Sequence, residues 1–266
     1  MSATTAPIGV FDSGLGGLTV LQSLRSLLPG EDFIYFADQA FCPYGGRPET
    51  EIRDRAFAVT DALRAEGAKL VVVACNTATI AAVAALRAAV SMPFVGMEPA
   101  VKPASALTRT GVVGVLATPG SLAGDKFQHL VATHAQGVKV LTQPCRGWVE
   151  SVEAGDLDGP VVRQQVRAAV QPLIDAGCDV LVLGCTHFPL LRAVIAELAG
   201  PTVTLLETGP AVARQTLRVL EQSGLRNPRD HGGRVSWRGT GDDAAFRAMR
   251  LRLGFDAEDG AVPLSR

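Results

Sequence analysis

The feature that most constrains this chain is a repeated alternation of short, unbroken apolar runs with stretches of helical patterning. The runs lie at 8–11, 33–36, 70–74, 94–97, 112–116, 138–141, 180–183 and 203–206. A half-buried strand alternates apolar and polar residues, whereas unbroken Val/Ile/Leu runs suit strands buried on both faces of a parallel sheet. Helical patterns fill the gaps, among them 49–66, 77–89, 161–176, 189–198 and 210–223. This strand–helix rhythm predicts a doubly wound α/β architecture.

The rhythm carries an internal echo. IGVFDSGLGGLTV opens the chain, and GVVGVLATPGSLA resembles it about a hundred residues later. VVVACNTAT has a counterpart in LVLGCTHFP, which places Cys75 and Cys185 110 positions apart. Each half reads as strand, polar turn and helix, then strand, Cys, polar turn and helix. The expectation is two similar doubly wound domains with mostly parallel sheets and the active site in the cleft between them. Ligands bind outside the carboxyl ends of strands in such folds. Chance similarity among apolar strands is the other reading of the echo.

Composition removes several function classes. The formal net charge is −1 and the basic residues are dispersed, so no nucleic-acid footprint is expected. No apolar stretch reaches the roughly 20 residues needed to span a bilayer, and MSATTAPIGVFD lacks the pattern of a secretory signal. No membrane association and a cytoplasmic location are therefore expected. The five cysteines are irregularly spaced, form no CxxC pair and have only four histidines for company, which argues for reduced thiols and no metal.

The motifs sit where such a fold does chemistry. DSGLGG at 12–17 lacks the last glycine of a dinucleotide fingerprint and the Gly-Lys-Ser/Thr of a P-loop. It reads as a tight turn that lets backbone N–H groups and Ser13 approach a ligand carboxylate at a helix N-terminus. Asp12 projects into the same crevice, or is only an N-cap. ACNTAT at 74–79 puts Cys75 where helix N–H groups favour a thiolate. Asn76, Thr77 and Thr79 are capping types that could also hold a carboxylate. GCTHFPLL repeats the arrangement at Cys185, with His187 two residues on. A cysteine at a strand end is more often packing than nucleophile, but two in matched polar turns reverse that judgement. Cys42, Cys145 and Cys178 lack such a setting and read as structural.

Two like residues suit the inversion of a stereocentre, which needs a base on one face and an acid on the other, with roles that swap for the other enantiomer. Asp12 could position a proton for Cys75, and His187 for Cys185. A pyridoxal enzyme would need a Schiff-base lysine, and none of Lys69, Lys102, Lys126 or Lys139 lies in a strand-end polar motif. No cofactor is expected.

DSGLGG, CPYG at 42–45, ACNTAT and GCTHFPLL together resemble the bacterial glutamate racemase family, over about residues 8–220. The resemblance implies an aspartate/glutamate racemase fold and interconversion of L- and D-glutamate. It implies that Asp12, Ser13, Pro43, Tyr44, Gly45, Cys75, Asn76, Thr77, Cys185, Thr186 and His187 are substrate-contacting or catalytic. Thr118, in the second-half echo, joins the substrate-binding set. Glu153 falls in CRGWVESVEAG, where the family carries an acid that supports the histidine. The family's roles give Cys75 to D-glutamate and Cys185 to L-glutamate. ETGP at 207–210 resembles a return to the first domain, so the expected domains are 1–97 plus 207–266, and 98–206. Supply of D-glutamate for peptidoglycan, and so for cell-wall biogenesis and cell shape, is implied too, as is a homodimer. Two positions depart from the family pattern: Phe41, where many members have Arg, and Arg146, where many have Pro. Rival readings are an aspartate racemase, a decarboxylase or a cis–trans isomerase using similar cysteines, and a non-catalytic amino-acid-binding protein.

Overall fold

The computed structural model describes residues 3–123, 125–241 and 243–255. The chain opens with β1 (Ile8–Asp12), α1 (Leu18–Leu27), β2 (Phe33–Ala37), α2 (Glu49–Ala65), β3 (Leu70–Val73), α3 (Asn76–Ala89) and β4 (Phe94–Val95). It continues with α4 (Val101–Leu107), β5 (Val112–Ala117), α5 (Pro119–Leu122), α6 (Asp125–His134), β6 (Lys139–Pro144), α7 (Trp148–Glu153), α8 (Pro160–Asp175), β7 (Val180–Leu183), α9 (Arg192–Ala199) and β8 (Thr204–Leu206). It closes with α10 (Gly209–Gln222), β9 (Val235–Gly239) and α11 (Asp243–Arg252). Two compact units result, one from Met1–Met97 with Gly209–Arg266 and one from Glu98–Thr208.

Each unit is a parallel α/β layer. The first holds a sheet in the order β4-β3-β1-β2-β9, and the second a sheet in the order β6-β5-β7-β8. Every pairing is parallel. Counting strands within each unit, both sheets follow 2-1-3-4, with β9 added at the free edge of β2. The internal echo is thus a repeat of topology. In that order the chain leaves the first and third strands in opposite directions, which opens a crevice at their carboxyl ends. The turns after β1 and β3, and those after β5 and β7, therefore flank equivalent crevices in the two units.

The continuous apolar runs became strands because β1, β3 and β7 are buried along their whole length. Two differences have clear causes. β6 is an edge strand with a mostly exposed face, and it runs on through Thr142, Gln143 and Pro144 beyond its apolar run. β9 lies in a segment with no unbroken apolar run, because an edge position needs only Val235 and Trp237 buried. The helical pattern at 189–198 also divides, into a 3-10 turn at Phe188–Leu191 followed by α9.

Two glycines are fixed by close approach. A Cβ on Gly17 would lie 2.5 Å from the Asp12 Cβ and 2.7 Å from the Tyr35 hydroxyl, and one on Gly184 would lie 2.9 Å from the Leu116 carbonyl oxygen. Overpacking of this kind costs about 1–3 kcal/mol. Gly17→Ala is expected to lose that much stability in urea titrations, with activity falling further because Asp12 must move.

Away from the strand ends that carry the site, Asp179 ties the turn before β5 to the start of β7. Its carboxylate accepts from Thr108 Oγ1 at 2.5 Å, the Arg109 N–H at 2.8 Å and Thr110 Oγ1 at 3.1 Å. Burial pushes its pKa up, but these donors outweigh burial and bring it down to about 2. A carboxylate depressed on folding stabilises above its unfolded pKa, and that stability is lost as pH falls through the folded one. Asp179→Asn is therefore expected to melt below the wild type at pH 7, with the gap closing as the pH of the melts approaches 2.

Candidate active site

In the first unit the site starts at the end of β1. Asp12 is fully buried, and its Oδ1 accepts the Gly14 N–H at 2.8 Å, while the N-cap position of α1 belongs to Gly17. Asp12 is thus not a helix cap; it braces the turn that holds Ser13. The Tyr35 hydroxyl donates to the Gly14 carbonyl at 2.8 Å and fixes the same turn from below. The N–H groups of Leu18, Thr19 and Val20 are taken by the carbonyls of Leu15, Gly16 and Gly17, so the start of α1 does not offer them to a carboxylate.

Cys75 follows β3 as the N-cap of α3, and its Sγ accepts the Ala78 N–H at 3.4 Å and lies 3.8 Å from Ser13 Oγ. A sulfur in contact with a helix N-terminus is stabilised as thiolate. Asn76 is 3% exposed, and neither its Oδ1 nor its Nδ2 has a hydrogen-bond partner. A buried amide left unsatisfied costs about 1–3 kcal/mol per group, so it marks a place prepared for a polar ligand. Thr77 is buried beside it. Thr79 is otherwise engaged: its hydroxyl donates to the Val73 carbonyl and accepts the Met97 N–H, so it does not hold a carboxylate.

Pro43 and Gly45 are partly buried, and Tyr44 is buried in the same apolar cluster as Cys75, Phe11 and Ala78. The Tyr44 hydroxyl donates to Asp38 Oδ2 at 2.5 Å. Burial and then the Asp38 charge hold this phenol well above its ordinary pKa, so it is a neutral donor.

In the second unit the end of β7 carries Gly184 and Cys185. The Cys185 thiol is buried, with its Sγ 3.8 Å from His187 Nδ1. His187 is 1% exposed, and its Nε2 lies 2.6 Å from Glu153 Oε1. A carboxylate oxygen accepts, so Nε2 carries the hydrogen and Nδ1 faces the thiol, as acceptor when neutral and as donor to a thiolate when protonated. Glu153 sits on α7, which Trp148 packs onto the next turn with its ring 4.7 Å from that of Phe188. Thr186 Oγ1 lies 3.5 Å from His187 Nδ1. Thr118 caps α5 through the Ser121 N–H and pairs with the Ser121 hydroxyl at 2.9 Å. The two cysteine turns are not identical: Cys75 caps an α-helix, whereas Cys185 precedes a 3-10 turn and has His187 in place of a helix N–H group.

The other thiols differ. Burial raises the pKa of Cys178, whose Sγ donates to the Val180 carbonyl at 3.0 Å. Burial, then the Cys185 charge, pushes Cys145 far above the usual thiol range. Cys42 is partly buried.

The Asp/Glu/Hydantoin racemase family model matches residues 8–216. The chain belongs to the Asp/Glu/Hydantoin racemase family. Membership makes it an isomerase, and within the family it stands with the glutamate racemases. The glutamate racemase of Herpetosiphon aurantiacus is 53% identical over 247 residues, covering 93% of this chain and 97% of that protein. Among solved structures, a glutamate racemase isoform from Bacillus anthracis superposes with a TM-score of 0.87 at 31% identity, covering 99% of this chain and 98% of that one. The glutamate racemase of Francisella tularensis, solved in complex with D-glutamate, gives 0.84 at 28% identity, with 98% of each chain covered.

Set in this racemase fold, three residues escape the motif reading. Asp38, fully buried just past β2, accepts from Tyr44, from Arg55 Nε and NH2 at 2.9 and 2.7 Å, and from Thr240 Oγ1 at 2.8 Å. The strand-end position that drew attention to Asp12 also fits Asp38. Arg55 and Thr240 had no signal, since they reach Asp38 from 17 and 202 residues away. The Arg146 side chain is exposed, and Gly147, at φ +81°, makes the turn.

Among the described residues no helix is long and apolar enough to cross a membrane.

Proposed function

We propose that this chain interconverts L- and D-glutamate without a cofactor, by two-base proton transfer at Cα in which Cys75 and Cys185 exchange the roles of base and acid. The observation that carries the reading is the equivalence of the two cysteines. Each is buried at the carboxyl end of the third strand of a repeated 2-1-3-4 sheet, and each has its own polar partner. Cys75, held by a helix N–H group, takes the proton of D-glutamate, and Cys185, beside His187 and Glu153, takes that of L-glutamate. The acidic substrate is held by Ser13, the Pro43-Tyr44-Gly45 turn, Asn76 and Thr77 of the first unit and by Thr118 and Thr186 of the second. The unpartnered Asn76 amide supports that assignment.

Glutamate as substrate is supported by the names of relatives about half identical to this chain and by the D-glutamate complex of a structural neighbour. Independence of pyridoxal is supported by the lysines. Lys69 is bound to Glu31 and the Thr4 carbonyl, Lys102 and Lys139 are exposed, and the Lys126 side chain lies outside those described. The proposal extends to a cytoplasmic homodimer that supplies D-glutamate for peptidoglycan.

A polarimetric assay of purified protein with no added cofactor tests the core of this reading. L- or D-glutamate should relax to the racemate, and aspartate should do so far more slowly. Unchanged rotation with both enantiomers of glutamate would refute it.

A further inference from the structure

The surroundings of Phe41 give it a task. The Arg55 guanidinium lies 3.9 Å from the centre of the Phe41 ring, and that of Arg47 lies 5.5 Å from it. Arg47 also donates to the Phe41 carbonyl at 2.5 Å and pairs with Glu51 at 2.6 Å. Arg55 makes a two-pronged bond to the buried Asp38, which in turn takes the Tyr44 hydroxyl. The ring, the guanidinium, the carboxylate and the phenol form one continuous contact chain in the first unit. It ends in the apolar cluster that holds Tyr44 and Cys75. Arg55 is 22% exposed and Asp38 is not exposed at all, so the pair works largely outside solvent screening.

We infer that Arg55, stacked on Phe41 and bonded to Asp38, is a positioning residue for the Pro43-Tyr44-Gly45 turn and sets how tightly this chain holds its acidic substrate. The inference rests on the proposed substrate contact at 43–45. Two physical features make Arg55 suited to the task. Its planar fork fixes both carboxylate oxygens of Asp38, which a lysine cannot do. The ring face beneath it restricts the guanidinium to one plane. Thr240, just beyond β9, also donates to Oδ1, so loss of Arg55 leaves Asp38 with two hydroxyl donors, Thr240 and Tyr44, in place of the guanidinium fork.

The test is the Michaelis constant for D-glutamate, with kcat and the melting temperature measured alongside. Arg55→Met is expected to raise KM about 10-fold or more, the cost of a lost charge-assisted bond. Arg55→Lys, which keeps charge without the fork, should fall between it and the wild type. Phe41→Leu should raise KM about 2–5-fold, and Phe41→Tyr should restore it. In each case kcat should change less than KM, because the proton-transfer groups stay in place. Tyr44→Phe serves as reference. If it raises KM while the Arg55 and Phe41 variants stay within twofold of the wild type, the positioning role is overturned and the turn's contact with substrate stands. If Tyr44→Phe itself leaves KM unchanged, both fall. Parallel losses of kcat and melting temperature with constant KM would make the cluster structural only.

Discussion

Cys75→Ser is expected to lower glutamate racemisation by about 10²–10⁴-fold in both directions, the contribution of one positioned proton-transfer group. Serine keeps the shape and the helix-capping ability of the position, so the fold should survive. What it loses is acidity, because a hydroxyl does not ionise near neutrality as a thiol held at a helix N-terminus can. The two directions should nonetheless leave different traces. In Cys75→Ser the thiol at Cys185 remains, so L-glutamate should still exchange its Cα proton with solvent while D-glutamate does not. Cys185→Ser should show the mirror image. Wild-type turnover by either variant, read by circular dichroism, would remove that cysteine from the mechanism.

The second large effect is expected at His187. Nε2 is held 2.6 Å from Glu153, and Nδ1 lies 3.8 Å from the Cys185 sulfur. His187→Asn removes the ring nitrogen that faces the Cys185 sulfur and with it a group placed to exchange a proton there. A fall of about 10–100-fold is expected for the step in which Cys185 removes a proton, while exchange at D-glutamate, where Cys75 is the base, is reduced less. Glu153→Gln should show the same asymmetry at smaller size, because the ring stays in place and only its orientation and charge support weaken. Initial exchange rates of the two enantiomers, followed by proton NMR in deuterated water, decide the point. Equal losses at both enantiomers would detach His187 from Cys185.

The parallel α/β architecture was legible because burial on both faces leaves an unmistakable pattern of unbroken apolar runs, and eight of the nine described strands carry one. The repeat was legible too, since strand-end motifs recur with nearly constant spacing. β9 was not, because an edge strand needs only one buried face. Among the candidate site residues, those at a strand's carboxyl end or within two residues of it could be found by position: Asp12, Cys75, Thr118 and Cys185. Geometry between distant segments could not. Arg55 and Thr240 meet Asp38 only after folding, and nothing local to either residue marks it. The hydrogen bonding around the DSGLGG turn was not legible either: the Leu15–Gly17 carbonyls accept the first N–H groups of α1, and glycine-rich sequence alone does not say which way its hydrogen bonds run.

The two-base mechanism is tested most directly by isotope incorporation during the first few per cent of turnover. With L-glutamate in deuterated water, the D-glutamate formed should carry deuterium at Cα, while the recovered L-glutamate keeps its proton. The reason is that one thiol removes the proton and the opposite one, equilibrated with solvent, returns a deuteron. Deuterium appearing in recovered L-glutamate as fast as in D-glutamate, or D-glutamate that retains the original proton, would contradict two opposed cysteine bases.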